Sequence, residues 1–178
     1  YESNEPSGVR LGQRQAKQPM FEHHPATTDR AALRVELLAA ANELTRDEPD
    51  AIANMANMAA LLMLYLPDLN WAGFYRVVGG DLVLGPFQGR PACVRIGHGK
   101  GVCGTAWALG QTQLVPDVHA FTGHIACDAA SRSELVVPLF REDAVIAVID
   151  LDSPVPDRFD SDDAACLESL ARMLESRI

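Results

Sequence analysis

Three cysteines in the middle of the chain are the first candidates for chemistry. Cys93, Cys103 and Cys127 fall within a span of 35 residues, in stretches that are rich in glycine or lack a regular period. A fourth, Cys166, lies among apolar residues near the end of the chain and is typical of a small buried hydrophobic residue. Because cysteine is among the most buried residue types, burial alone explains any one of the other three. Taken together, they make thiol chemistry about as well supported as burial.

Three carboxylates form the second candidate group. Asp150 and Asp152 end the apolar segment AVIAVIDLD, and Glu134 begins the preceding segment, ELVVPLF. Strand alternation places Asp150 and Asp152 on one sheet face. A three-residue turn at 141–143 pairs Glu134 with Asp150 on that face, whereas a two-residue turn moves Glu134 to the other face. Since like charges across a ladder destabilise it, the clustered arrangement predicts a cation or a proton between the carboxylates; solvation at a strand end is the alternative.

Two aromatic residues and two histidines complete the set. Trp71 and Tyr75 stand four apart in a predicted strand and therefore share a face, where they could wall a small pocket or pack in a core. His119 and His124 precede Cys127 at spacings of five and three. Zinc sites usually take their ligands in tighter pairs, so we expect no metal here and keep zinc as an alternative.

The elements that must position these residues predict one α+β domain. A helix is expected from the Thr28/Asp29 cap to about Asp47, and a second follows Pro49 and ends at Pro67. From Trp71 the apolar period becomes two, with a hairpin at the turn GGD. The remaining expectations are a short helix around VCGTAWALG, a strand at QLVPDV, a loop over 119–132, the two apolar strands, and a last helix capped by Asp160 or Ser161. We predict a central antiparallel sheet with the N- and C-terminal helices packed on one face.

Length and charge exclude several classes of protein. The chain has 178 residues, with 15 Lys and Arg against 24 Asp and Glu, a net charge of −9. That balance argues against a nucleic-acid surface and against docking on an anionic membrane. No apolar run is long enough for a spanning helix, and no signal peptide is visible. We expect residues 1–28 to form a flexible tail, residues 29–178 to form the domain, and the protein to be cytoplasmic with reduced thiols.

A resemblance to a known family emerges from several motifs together. WAGFY, the stretch from LGPFQGRPACVRI to GKGVCGTAW, HIACD, and SELVVPL followed by IAVIDLDS resemble the free methionine-(R)-sulfoxide reductases, single-domain enzymes of the GAF fold. The resemblance covers about residues 30–176. It implies reduction of free methionine (R)-sulfoxide to methionine, which links the protein to the response to oxidative stress.

The resemblance also implies a role for each candidate residue. Cys127 matches the catalytic cysteine, Cys93 a resolving cysteine, and Cys103 a third cysteine that resolves or relays. Glu134, Asp150 and Asp152 match the carboxylates of the amino-acid pocket, with Glu134 or Asp152 as proton donor. The aromatics Trp71 and Tyr75 match residues that line the pocket.

The implied mechanism uses cysteine thiols as the only redox groups of the protein. Cys127 becomes a sulfenic acid, an intramolecular disulfide follows, and thioredoxin reduces that disulfide as the external reductant. No bound cofactor is implied. A GAF module that senses a small ligand without catalysis is the alternative, and a homodimer is one of the oligomeric states that the sequence leaves open.

Overall fold

The computed structural model describes residues 23–123 and 130–178. Within them the helices are α1 (Arg30–Thr45), α2 (Ala51–Tyr65), α3 (Gly101–Leu109) and α4 (Ser161–Leu174). The N-termini of α1, α2 and α4 are each capped by an aspartate side chain, Asp29, Asp50 and Asp160, which accepts a backbone N–H of the first turn. Such caps satisfy amide groups that have no partner inside the helix. The cap predicted at residue 28 or 29 is therefore Asp29, and the one predicted at residue 160 or 161 is Asp160.

Six strands make one antiparallel sheet in the described part of the chain. They are β1 (Trp71–Val78), β2 (Asp81–Gly89), β3 (Arg95–Gly97), β4 (Gln113–Val115), β5 (Ser133–Arg141) and β6 (Ala144–Ser153), in the spatial order β3-β2-β1-β6-β5-β4. The β1–β2 hairpin turns at Gly79 and Gly80, whose φ angles of 61° and 89° suit glycine. A short 3₁₀ turn, Val118–Ala120, follows β4.

The two faces of the sheet carry different helices. On one face α1, α2 and α4 bury the larger apolar core, which includes Leu37, Phe74 and Ile149. On the other face α3 packs against β5 and β6, and a second cluster forms around Trp71 and Tyr75. The prediction that the N- and C-terminal helices share one face is confirmed. The short helix α3 lies on the opposite face and covers the polar side chains there.

The register between β5 and β6 corrects one expectation. The hairpin turns on two residues, Glu142 and Asp143, because Arg141 pairs with Ala144. Such a turn alone would move Glu134 to the other face, but a bulge beyond Leu139 inserts one extra residue into β6 and restores the parity. Glu134 consequently pairs with Asp152, so the predicted pairing with Asp150 was wrong, while the shared face was right.

Other expectations fall partly outside the described residues. The predicted tail, 1–28, is described only from His23 onward and stays a prediction, as does the boundary at residue 29. Within 23–123 and 130–178, no helix has the length and apolar character needed to cross a membrane.

Candidate functional site

The site face of the sheet gathers candidate residues from four elements. Trp71 and Tyr75 come from β1, Glu134 from β5, Asp150 from β6 and Cys103 from the first turn of α3. All five are buried. The strand pairings explain why these side chains lie close together. Asp152 pairs with both Trp71 and Glu134 across neighbouring strands, and Asp150 pairs with Val136. The structure thus brings together side chains that lie up to 79 residues apart in the sequence.

A buried pair of carboxyls lies at the centre of this face. Glu134 is 7% exposed and Asp150 is 6% exposed. One ligand atom each of Cys103, Glu134 and Asp150 lies within 4.8 Å of the others. The Oδ1 atom of Asp150 is buried and has no hydrogen-bond partner among the described residues. Because an unpaired buried acceptor is costly, this oxygen is suited to a bound donor or cation.

Burial and mutual repulsion set the protonation of the pair. Burial, followed by the charges of Asp150 and Asp152, raises the pKa of Glu134 well above its usual value. Burial raises the pKa of Asp150 to about 6, while hydrogen bonds from Cys103 and Glu134 act in the opposite direction. The pair therefore retains a proton near neutral pH, and this proton is available for donation.

Cys103 is a protonated thiol in this setting. Its Sγ lies 4.0 Å from Glu134 Oε1 and donates toward that carboxyl. Burial, with the charges of Asp150 and Glu134 next, raises the pKa of the Cys103 thiol well above its usual value. Position in the first turn of a helix favours a thiolate, but here burial and then the acidic neighbours outweigh it. Cys103 is consequently a weak nucleophile while both carboxyls are in place.

Three aromatic rings, those of Trp71, Tyr75 and Phe87, line the site on its β1–β2 side and are called the aromatic wall. Trp71 stacks on Tyr75 with centroids 5.9 Å apart and on Phe87 with centroids 5.3 Å apart. Trp71 Nε1 donates to the carbonyl of Arg90, and the Tyr75 hydroxyl donates to the carbonyl of Cys93. Both polar tips are thus satisfied by backbone, which fixes the orientation of the two rings.

Phe87 is a member of this wall that sequence reasoning missed. It shares the site face with Leu84, three residues earlier, because the β1–β2 register shifts between these two positions. The intervening Gly85-Pro86 is the signal that could have indicated a bulge, since glycine and proline inside a strand often mark one. Without the bulge, period-two alternation places Leu84 and Phe87 on opposite faces.

Cys93 occupies the segment between β2 and β3. Cys93 is disulfide-bonded, whereas Cys103 and Cys166 are free thiols. The backbone carbonyl of Cys93 accepts the hydrogen bond from the Tyr75 hydroxyl, which holds this segment against the aromatic wall. Cys127, the predicted nucleophile, lies outside the described residues, and so does the whole motif HIACD, residues 124–128. Its role stays a prediction.

Two groups were weighed for metal binding. His119 is exposed, and its Nδ1 lies 3.1 Å from Asp117 Oδ1; His124 and Cys127 lie outside the described residues, so the zinc alternative is untested. The described residues that could hold an ion are instead Cys103, Glu134 and Asp150. A thiol and two carboxyls are able to ligate a divalent cation, but equally to receive an ammonium group.

The fold and site define a known class of domain. The family model of the GAF domain matches residues 38–178. The chain therefore belongs to the GAF domain family.

Curated relatives narrow the assignment. The free methionine-R-sulfoxide reductase of Escherichia coli is 53% identical over 75% of this chain and 81% of its own, and that of Saccharomyces cerevisiae is 41% identical over 78% and 82%. The X-ray structure of free methionine-R-sulfoxide reductase from Neisseria meningitidis, in complex with its substrate, superposes with a TM-score of 0.83 at 48% identity, covering 87% of this chain and 93% of that one. Within the GAF family, the chain belongs to the free methionine-R-sulfoxide reductases.

Proposed function

We propose that the protein reduces free L-methionine (R)-sulfoxide to L-methionine. The observation that carries the proposal is the buried, acidic face of Glu134 and Asp150, in which one oxygen of Asp150 has no partner among the described residues. The identity to reductases of this name supports the same reaction. The (R) epimer is taken from those relatives.

The acidic face suits the ammonium group of a free amino acid. Two buried carboxyls with a third, Asp152, close by need a cation or protons to offset their repulsion. A free amino acid supplies an ammonium group, whereas a methionine inside a peptide does not. Asp150 and Asp152 are therefore assigned to bind the ammonium, with the rings of Trp71 and Tyr75 alongside the thioether chain.

Glu134 is the better supported of the two candidate proton donors. Its pKa is raised well above the usual value by burial and by two neighbouring carboxylates. Asp152 is only partly buried. A carboxylic acid that stays protonated near neutral pH can protonate the sulfoxide oxygen as the S–O bond breaks.

The sulfur chemistry follows from this proton transfer. The Cys127 thiolate attacks the sulfoxide sulfur, the protonated oxygen passes to Cys127 as a sulfenic acid, and methionine leaves. The Cys93 thiol then condenses with the sulfenic acid to form a disulfide and release water. A dithiol, with thioredoxin as the expected donor, reduces this disulfide to two thiols and becomes a disulfide itself. Cys103 either relays or holds the carboxyls in place.

The remaining assignments belong to the same proposal. The reaction needs no bound cofactor, because the electrons come from the external dithiol. A cytoplasmic location agrees with that need for reduced thioredoxin. A homodimer stays a prediction.

A direct activity assay tests the proposal. Purified protein receives either epimer of free methionine sulfoxide with dithiothreitol as reductant, and methionine is quantified. We expect turnover of the (R) epimer alone, with activity lost in Cys127→Ser and retained in Cys166→Ser. Cys166 is the matched control because it packs against α1, on the opposite side of the sheet from the acidic face.

The ligand-sensing alternative predicts a different outcome. A GAF module without catalysis would bind an amino acid but form no methionine from either epimer. Metal analysis of the purified protein separates a third case, in which Cys103, Glu134 and Asp150 hold an ion. Stoichiometric metal together with absent turnover would contradict the proposed reaction.

A further inference from the structure

The segment around Cys93 is basic in an otherwise acidic protein. The chain has a net charge of −9, yet it contains no Asp or Glu between Asp81 and Asp117. Arg90 and Arg95 flank Cys93 in this stretch, and both are exposed; Arg95 also forms an exposed ion pair with Asp81 of β2 at 3.2 Å. Charge is therefore unevenly distributed, with a positive segment next to the disulfide-bonded cysteine.

The same segment exposes apolar side chains. Val94, the residue after Cys93, is 66% exposed, and Pro91 is exposed as well. We call Arg90, Pro91, Cys93, Val94 and Arg95 the Cys93 surface. An exposed apolar residue by itself is ordinary. Here it directly follows a disulfide-bonded, half-buried cysteine in the chain and lies between two exposed arginines in the sequence, a combination that suits a protein partner.

The backbone of this surface also has an open edge. The strand β3 is the last in the sheet and pairs only with β2 among the described residues. The carbonyl of Val94 accepts from Leu84 N on β2, and the alternation of an antiparallel ladder turns the N–H and C=O of Arg95 away from β2. An extended partner segment could pair with Arg95, as happens at many sheet edges.

We propose that the Cys93 surface is the docking site of the protein dithiol that regenerates the enzyme, and that Cys93 Sγ is the atom it attacks. The proposal rests on the proposed function, which supplies the Cys93–Cys127 disulfide. The partner presents an acidic rim and an apolar patch around its nucleophilic thiol, complementary to the two arginines and to Val94.

The exchange balances in two steps. The partner's thiolate bonds to Cys93 Sγ, the S–S bond to Cys127 breaks, and Cys127 leaves as a thiolate with the electron pair. The partner's second thiol then attacks its own mixed-disulfide sulfur, and Cys93 leaves and takes up a proton. Attack at Cys93 thus returns Cys127 directly to its reactive form.

Substitution of the exposed valine tests the docking surface. Val94→Asp places a negative charge in the apolar, basic patch without touching the acidic face. We expect it to raise the KM for thioredoxin about tenfold, while kcat with saturating dithiothreitol stays within about twofold of wild type. Leu114→Asp is the matched control, since Leu114 is an exposed residue on β4 at the opposite edge of the sheet.

Trapping the mixed disulfide tests the attacked atom. Thioredoxin whose second active-site cysteine is replaced by serine is mixed with the oxidised full chain, and the adduct is mapped by mass spectrometry. An adduct on Cys93 supports the proposal, and one on Cys127 or Cys103 overturns it. An unchanged KM in Val94→Asp overturns the docking surface. Absence of dithiothreitol-driven turnover in wild type would instead contradict the proposed function, so the two failures are distinguishable.

Discussion

At the scale of single residues, the site depends on two carboxyls whose charged form is made unfavourable by burial. Glu134 and Asp150 lie on neighbouring strands with raised pKa values. A carboxyl whose pKa is higher in the folded than in the unfolded state stabilises the fold below its unfolded pKa and loses that contribution as the pH rises through its folded pKa. For Asp150 this window runs from its usual value of 3.8 to about 6. The protein should therefore become less stable as the pH rises through this window.

The substitution Asp150→Asn should stabilise the fold at alkaline pH. It removes one buried negative charge beside Glu134, so we expect the Tm at pH 8 to rise by roughly 3–10 °C, equivalent to about 1–3 kcal/mol. We also expect a flatter Tm between pH 4 and 7, and a large loss of turnover. Thermal unfolding followed by circular dichroism measures the first two effects.

An exposed acid provides the control for this substitution. Asp143→Asn changes the net charge equally, but at the exposed β5–β6 turn. It should leave the Tm at pH 8 within about 2 °C of wild type, because isolated surface substitutions change stability little. If Asp150→Asn lowered the Tm at pH 8, the carboxyl would be stabilised by partners rather than strained by burial.

At the scale of elements, bulges decide which side chains face the site. The sequence predicted the helices, the hairpin at Gly79 and the two apolar strands, because each has its own period and its own cap or turn residues. It could not predict the register of β5 against β6, since the two-residue turn and the bulge beyond Leu139 each shift the parity by one and cancel. A bulge depends on packing between strands, which leaves no periodic trace in either strand.

The aromatic wall depends on a small residue at its centre. Gly73 lies between Trp71 and Tyr75 on the site face, and a Cβ built there would lie 2.4 Å from Phe87 Cβ and 2.7 Å from Trp71 Cη2. The ring of Trp71 thus occupies space that any side chain at position 73 would need. Because Gly73 has no side chain, the rings of Trp71 and Tyr75 can stack on one face of β1.

The substitution Gly73→Ala should displace the wall. Because Phe87 Cα is also only 2.9 Å from the added atom, the strands themselves must move. We expect destabilisation of about 1–3 kcal/mol and a KM for free methionine (R)-sulfoxide raised several-fold. Tryptophan fluorescence of the folded protein and steady-state kinetics measure the two effects.

A second strand glycine separates this clash from a general loss of glycine. Gly97 of β3 would meet only Lys100 Cγ, at an ordinary 3.5 Å. Gly97→Ala should therefore leave the KM near the wild-type value. Equal effects of the two substitutions would contradict the role assigned to Gly73.

At the scale of the whole molecule, one buried aspartate links the helices on the face opposite the site. Asp163 of α4 is 1% exposed and accepts hydrogen bonds from Arg158 at 2.9 Å, from Arg34 of α1 at 2.8 Å, and from Arg30. Arg158 also donates to the carbonyl of Pro67, beyond the end of α2. This network connects α1, α4 and the chain after α2 on the face opposite the site.

The substitution Asp163→Asn should destabilise the whole fold. Removing the charge of Asp163 leaves the buried guanidinium group of Arg158 without its ion-pair partner among the described residues, which costs about 3–5 kcal/mol. We expect a Tm lower by roughly 6–15 °C. Asp162→Asn is the control, because the Asp162 side chain is 76% exposed and pairs only with Arg34 among the described residues, at 3.3 Å. A similar loss in both variants would contradict the central position of Asp163.

The candidate site was predictable in membership more than in arrangement. Cysteine, carboxylate and aromatic positions could be selected from motif and alternation, and the structure brings Cys103, Glu134 and Asp150 within 4.8 Å of one another. The sequence could not indicate that α3 covers the acidic face, and it marks the bulge that brings Phe87 into the wall only through Gly85-Pro86. Both depend on which face a helix or a bulge occupies, and that choice is made by the packing of distant segments.

The central claim is that the acidic face selects a substrate with a free ammonium group. The most direct test compares kcat/KM for methionine (R)-sulfoxide with kcat/KM for its N-acetyl derivative, with dithiothreitol as reductant. The account predicts that acetylation lowers kcat/KM by about 10²-fold or more, since the charge-assisted contacts with Asp150 and Asp152 are lost. Equal kcat/KM values for the two compounds would contradict it.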